Sequence, residues 1–289
     1  MSSTFLSLYI FFMVLTPGLP SQAQTSDPDT YVSVIQAVYE QANPTPTPVI
    51  NPNSKENTVT KPGNDTEANN IDYVEELKKL GYFKEESQDN DLNIRNAVVR
   101  FQAAHNLDVD GIWGEQSMGA LKDRIKDSNF TYPDKIAKPT STGKWITINK
   151  TKRLLTLYQD KSVIKKYPVA IGSPSTLTPD GKHKIIIKIV NPYWGGGGYA
   201  KPVEGGSPNN PLGYRWLGLS LNGGGDYGIH GNASPYSIGT NASHGCVRMI
   251  NSDVEELFEI VPINTPVWIN TEEGLKEWGI EQPTYDKED

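Results

Sequence analysis

From Ile71 onward the apolar positions recur in steps of three and four. Ile71, Val74, Leu77 and Leu80 fall on one face and predict a first helix, with Gly81 where a C-terminal cap is wanted. A second helix carries Ile94, Ala97, Val98 and Phe101 on one face, and a third, from about Glu115 to Ile125, carries Met118, Leu121 and Ile125. Residues 71–126 thus read as a small three-helix bundle. After Lys144 the period changes. Trp145 to Ile148, Arg153 to Tyr158, Val163 to Ile171 and His183 to Val190 are short β-rich runs separated by turn residues such as Pro179-Asp180-Gly181. A helix over Asp253–Ile260 turns Val254, Leu257 and Phe258 inward, and Pro266 to Ile269 makes a closing strand. The fold class that follows is multidomain: a small all-α module over 71–126 and a mostly-β domain over 144–270.

The remaining stretches lack such periodicity. Phe5 to Leu15 is almost wholly apolar and is followed by Pro17, Gly18, Pro20 and then Ser21-Gln22-Ala23, the pattern of a secretory signal over residues 1–23, with a retained membrane anchor as the alternative. Residues 24–70 are dominated by Asn, Thr, Pro, Asp and Ser and predict a disordered tether. Residues 127–143 read as a second linker. The segment from Asn191 to Asp226 is rich in Gly and Pro with embedded aromatics, Tyr193, Trp194, Tyr199, Tyr214 and Trp216, and reads as a long lid. Residues 271–289, with seven acids and two lysines, read as an acidic surface tail.

Charge changes the picture by region. The 27 Lys and Arg stand against 34 Asp and Glu, a net charge of −7, which excludes a generally basic nucleic-acid binder. Residues 144–270 nevertheless hold thirteen basic and eight acidic residues, a cationic bias that suits an anionic polymer. One cysteine in 289 residues rules out an internal disulfide.

That cysteine, Cys246, lies in Ser243-His244-Gly245-Cys246-Val247-Arg248, with His230 sixteen residues upstream in Ile229-His230-Gly231. A thiol needs a base within hydrogen-bond reach to act as a nucleophile, and flanking cations favour its thiolate. On this reading the Cys246 thiol titrates below its ordinary range. Gly245 permits a tight turn in which backbone amides can face a developing oxyanion. Two other readings stand beside this one: an inert buried thiol, and a zinc site built from His230, His244 and Cys246 that lacks the usual paired ligand spacing. His105 reads as a surface or capping residue and His183 as structural.

These residues carry a resemblance. Ile229-His230-Gly231, Ile238-Gly239 and Ser243-His244-Gly245-Cys246-Val247-Arg248-Met249, together with Thr178-Pro179-Asp180-Gly181 and Asn210-Pro211-Leu212-Gly213, resemble the L,D-transpeptidase catalytic domain of the YkuD type. Leu77-Lys78-Lys79-Leu80-Gly81-Tyr82, Ala97 to Gln102 and Leu107 to Gly114 resemble a three-helix peptidoglycan-binding domain. Lys182-His183 after Gly181 and Asn232 after Gly231 depart from the catalytic pattern.

The resemblance implies an exported cell-wall enzyme without cofactor or metal. Its partners would be peptidoglycan stem peptides and glycan. Cys246 would attack a stem-tetrapeptide carbonyl, His230 would take the thiol proton, and the Gly231 carbonyl would orient the imidazole. Amides near Gly245 and Cys246 would hold the oxyanion, while Ser243, His244 and Arg248 would shape the site or bind substrate. Trp113 and Tyr82 would contact the wall, with a purely packing role for Trp113 as the alternative. The rival functions are a carboxypeptidase or endopeptidase using the same residues, and a non-catalytic wall-binding protein.

Overall fold

Carboxylates open the first two helices. Asp72 accepts hydrogen bonds from the Val74 and Glu75 N–H groups (3.0 and 3.3 Å) and starts α1, Tyr73–Lys79. Asp89 accepts from Asp91 and Leu92 (3.0 and 3.2 Å) and starts α2, Asn90–Ala104. The third helix, α3, covers Glu115–Lys126. Leu77, Ala97, Val98, Phe101, Leu107, Ala120 and Leu121 form their common core, and all but Leu107 and Ala120 are positions the periodicity predicts. Ile125, expected on the inner face of α3, is instead exposed. The structure is a computed structural model and describes residues 71–137 and 143–285. The signal-like run within 1–23 and the tether at 24–70 lie outside these residues.

The strands, in chain order, are β1 (Lys135–Ile136), β2 (Lys144–Asn149), β3 (Leu154–Gln159), β4 (Ser162–Gly172), β5 (Gly181–Val190), β6 (Arg215–Leu219), β7 (Gly228–His230), β8 (Asn241–Ser243), β9 (Val247–Met249), β10 (Pro266–Asn270) and β11 (Ile280–Glu281). Nine of them form one sheet in the order β3-β2-β10-β5-β6-β7-β9-β4-β8, and β3 also pairs with β4. That last pairing curls the sheet into a barrel. Alternate residues point inward: Ile146 and Ile148, Leu155 and Leu157, and Tyr167, Val169 and Ile171 share one core. The helix α4, Asn251–Ile260, adds Val254, Leu257 and Phe258 to it.

The strand β4 is buried on both faces along its second half, which alternation alone does not predict. Its outer face is covered by α2. Val99 and Ala103 of that helix and the following Val109 join Leu154, Ala170, Ile238 and Ile250 in a second core. Arg100 also reaches across, donating from Nε and Nη2 to Asp253 on α4 (2.9–3.1 Å) while pairing with Glu86 at 2.8 Å. The described residues all belong to one compact unit, Glu67–Asp289. Both domains expected from the sequence are present, and they pack directly on each other: helices and barrel share a core.

Two expectations change for the same reason. Part of the 127–143 linker is structural, because Asp134 is buried in an ion pair with Lys166 (2.7 Å) and accepts from Tyr158 OH (2.7 Å) and Asn106 Nδ2 (3.1 Å). Most of the described tail is structural too. Its helix α5, Glu272–Glu277, and β11 place Leu275 and Ile280 over Trp145 and Tyr158, while Gln282 donates to Thr156 and Tyr158 at 2.9 Å. Strand β1 pairs with β11, so linker and tail close the outer face of β2 and β3 together.

Candidate active site

The strands β7 and β9 run parallel, with Ile229 opposite Val247 and His230 opposite Arg248. Side chains alternate along a strand, so Ile229 and Val247 enter the core while His230 and Arg248 share the other face. Cys246 precedes Val247 and therefore also lies on the His230 face. Sixteen residues of separation collapse into a diagonal neighbour across two strands.

His230 is buried, and its ring stacks on Trp216 with centroids 5.5 Å apart and planes at 20°. Its Nδ1 lies 2.6 Å from the Gly231 carbonyl oxygen. A carbonyl can only accept, so Nδ1 carries the proton and Nε2 keeps a lone pair. Burial, and after it the positive charge of Arg248, push the imidazole pKa down to about 3, although the Gly231 carbonyl works the other way. The base is thus neutral throughout the ordinary pH range.

Gly231 is held in place by a residue the sequence reading did not single out. Asn251, the first residue of α4, accepts from the Asn232 N–H (2.9 Å) and donates to the Asn232 carbonyl (3.0 Å). Its Oδ1 lies where a Cβ on Gly231 would stand, so only glycine allows this approach. The Asn232 side chain, one of the departures from the family pattern, donates to the Met249 carbonyl at 2.7 Å and ties the same turn to β9.

The nucleophile turn is built by Ser243. Its hydroxyl donates to the Cys246 carbonyl (2.5 Å) and accepts from the Gly245 N–H (3.1 Å), while its own carbonyl accepts from Ser173 N–H and Thr176 Oγ1 (both 2.9 Å). Ser243 is buried and shapes the turn, and the Gly245 N–H donates to Ser243 Oγ. Gly245 has φ +112°, and a side chain there would collide with Tyr227, so the glycine is required by the backbone. His244 is exposed and packs against Tyr199 of the 191–214 loop, ring centroids 5.5 Å apart.

Cys246 Sγ lies 3.4 Å from the Asp226 carbonyl. Burial raises its pKa above the ordinary thiol value, while the Gly228 N–H and Arg248 pull down without offsetting it and Asp226 adds to the rise. The expectation of a low-titrating thiol is overturned, because desolvation outweighs the nearby charge. Burial therefore disfavours a resting thiolate. Iodoacetamide alkylation of Cys246 is accordingly expected to climb steadily from about pH 6 to beyond pH 9. A midpoint below about 8.5 would contradict this account.

Arg248 has no ion-pair partner among the described residues, so its charge is directed at His230 and Cys246 rather than spent in a salt bridge. No three His, Cys, Asp or Glu side chains among the described residues cluster closely enough to hold a metal. The two wall-contact candidates are separated. Tyr82 packs edge-on against Phe101 (5.5 Å) and lines a small cavity with Arg100, Lys166 and Tyr167, whereas Trp113 stacks on Tyr73 in an open groove.

Residues 143–269 match the L,D-transpeptidase catalytic domain of the YkuD family, and residues 71–121 match a peptidoglycan binding domain. YqjB of Bacillus subtilis (strain 168), which carries an L,D-transpeptidase name, is 40% identical over 133 residues, covering 45% of this chain and 73% of that protein. The chain belongs to the L,D-transpeptidase family. A Bacillus licheniformis member named YkuD is 39% identical over 134 residues, or 46% of this chain and 70% of that one. The crystal structure of an L,D-transpeptidase from Xylanimonas cellulosilytica covers 68% of this chain and 91% of its own at 24% identity, with a TM-score of 0.48.

Proposed function

We propose that this L,D-transpeptidase family member forms a cysteinyl acyl-enzyme with a peptidoglycan stem tetrapeptide and transfers the acyl group to an amine, cross-linking or remodelling the bacterial wall. The observation that supports this best is the single face carrying Cys246, His230 and Arg248, with an uncharged imidazole whose Nε2 lone pair is free.

In the first step Cys246 Sγ bonds to the carbonyl carbon that precedes the terminal D-residue, and His230 Nε2 takes the thiol proton. The carbon–nitrogen bond then breaks, and the departing amine receives that proton from His230. A neutral base is suited to both transfers. The Gly231 carbonyl steadies the imidazolium formed between them, the role a carboxylate plays in other triads. Arg248 favours the negative charge that develops on sulfur and oxygen. In the second step an acceptor amine attacks the thioester, the carbon–sulfur bond breaks, and His230 carries the amine proton back to sulfur.

Export is part of this proposal, supported by the apolar run Phe5–Leu15 and the small-residue site after it. So is wall attachment through residues 71–121, supported by their match to a peptidoglycan binding domain.

Purified protein incubated with disaccharide-tetrapeptide is expected to yield a cross-linked dimer, shortened by one terminal D-residue on the donor. Tripeptide alone would overturn transfer in favour of hydrolysis. An unchanged substrate would overturn the enzyme reading.

A further inference from the structure

One groove lies apart from the face that carries Cys246. It is lined by Tyr73, Asp91, Arg95, Trp113 and Tyr236, among others, and has a volume of about 310 Å³. Its walls come from both halves of the chain. Tyr73 and Trp113 belong to the helical segment and stack at 4.4 Å with planes 13° apart. Tyr236 belongs to the barrel and is nearly half exposed, at 47%. Arg95 joins the two walls: its Nη2 donates to the Ile238 carbonyl at 2.7 Å, and its guanidinium lies 6.0 Å from the Tyr236 ring centroid. The Tyr236 hydroxyl donates to Asp89 at 2.7 Å, which fixes the ring at the rim.

Two donors on residues that line this groove are unused. Trp113 Nε1 and Arg95 Nη1 are buried, yet neither has a hydrogen-bond partner among the described residues. Leaving a buried donor without an acceptor is unfavourable, so an oxygen that reaches it recovers that cost. Aromatic faces beside unsatisfied N–H groups and one exposed carboxylate, Asp91, define the ligand chemistry. The flat apolar face of a pyranose suits Tyr73, Trp113 and Tyr236, an acetamido carbonyl suits Trp113 and Arg95, and a sugar hydroxyl suits Asp91.

We infer that this groove is a composite subsite for an N-acetylhexosamine of the glycan strand, assembled only when helices and barrel are docked. The inference rests on the wall-substrate reading above. It also explains why the helical segment is fixed to the barrel rather than tethered: the barrel supplies one wall of the binding site. The chain that forms this wall, residues 235–238, lies between His230 and Cys246 in sequence, so glycan binding and chemistry share one continuous segment.

The test uses the full chain and tetra-N-acetylchitotetraose, a neutral oligosaccharide without stem peptide. Saturable binding is expected in the wild type. Tyr236→Ala is expected to raise its dissociation constant about ten-fold, as Trp113→Phe should, through loss of the indole donor alone. Ile263→Ala, at an exposed position outside the groove, should leave it unchanged. Carbapenem acylation of Cys246, read by intact mass, should be equal in all four proteins and reports that each is folded. Wild type that sediments with insoluble peptidoglycan but shows no binding of the oligosaccharide, or equal binding by Tyr236→Ala, would overturn the subsite and leave the wall reading standing. Wild type that fails to sediment at all would overturn both.

Discussion

A chain lacking residues 71–126 is expected to lose the barrel's cooperative unfolding transition. Removing α1 to α3 would uncover Leu154, Ala170, Ile238 and Ile250 on the outside of the barrel, all buried in the intact chain. Burying each large aliphatic side chain is worth roughly 1.5–3 kcal/mol. Asp253 would lose Arg100, and stranding one partner of a buried pair costs roughly 3–5 kcal/mol. Lys166 would lose Asn106, one of the oxygens that receive its ammonium in the interior. Against a typical total stability of about 5–15 kcal/mol these losses decide the outcome. Urea unfolding followed by tryptophan fluorescence measures it, and the single substitution Arg100→Met should cost about 3–5 kcal/mol in the same assay. A truncated barrel that unfolds at the same urea concentration as the full chain would show that the shared core contributes little.

The second large effect is at the nucleophile. Cys246→Ala is expected to reduce turnover of stem peptide by at least about 10⁴-fold, because the acyl-enzyme then has no atom on which to form. His230→Gln should cost a comparable factor, since burial disfavours the thiolate and the thiol then has no base to take its proton. Both variants should still sediment with insoluble peptidoglycan, because neither residue lines the Trp113 groove. The two losses should not add in the double variant, as base and nucleophile act in one step. The pH profile separates their roles. With His230 titrating near 3, the rate should show no inflection near 6.5, and the acid side should stay flat well below neutrality.

Much of this site was legible in the sequence. His230 and Cys246 stand in short runs of Gly, Ser and His whose chemistry points to a thiol and its base. Parallel pairing of β7 and β9 merely completes that reading. The helices were legible too, since each repeats apolar positions locally. What escaped depends on partners far apart in the chain. Asn251 looks like an ordinary helix start, and its partner Asn232 lies nineteen residues earlier. Lys166 lies in the β-rich run Val163 to Ile171, where nothing nearby in sequence supplies the Asp134 and Asn106 partners that hold it in the interior. Strands β6 to β9 are three to five residues long, too short for a period of two to emerge. The acidic composition of the tail hid Leu275, Ile280 and Gln282, which are its buried minority. The thiol's raised pKa was beyond sequence for a related reason: neighbouring cations are visible in the chain, whereas desolvation is not.

The claim at the centre of this account is that Cys246 carries the acyl group between donor and acceptor. The most direct measurement is acid-quenched mass spectrometry of the wild-type chain mixed with disaccharide-tetrapeptide, followed by digestion and mapping. The account predicts a transient thioester on the peptide containing Cys246, with the mass of the donor less its terminal residue. That species should disappear as an added amine acceptor is consumed. Turnover without any adduct on Cys246, or an adduct that forms equally in Cys246→Ala, would contradict it.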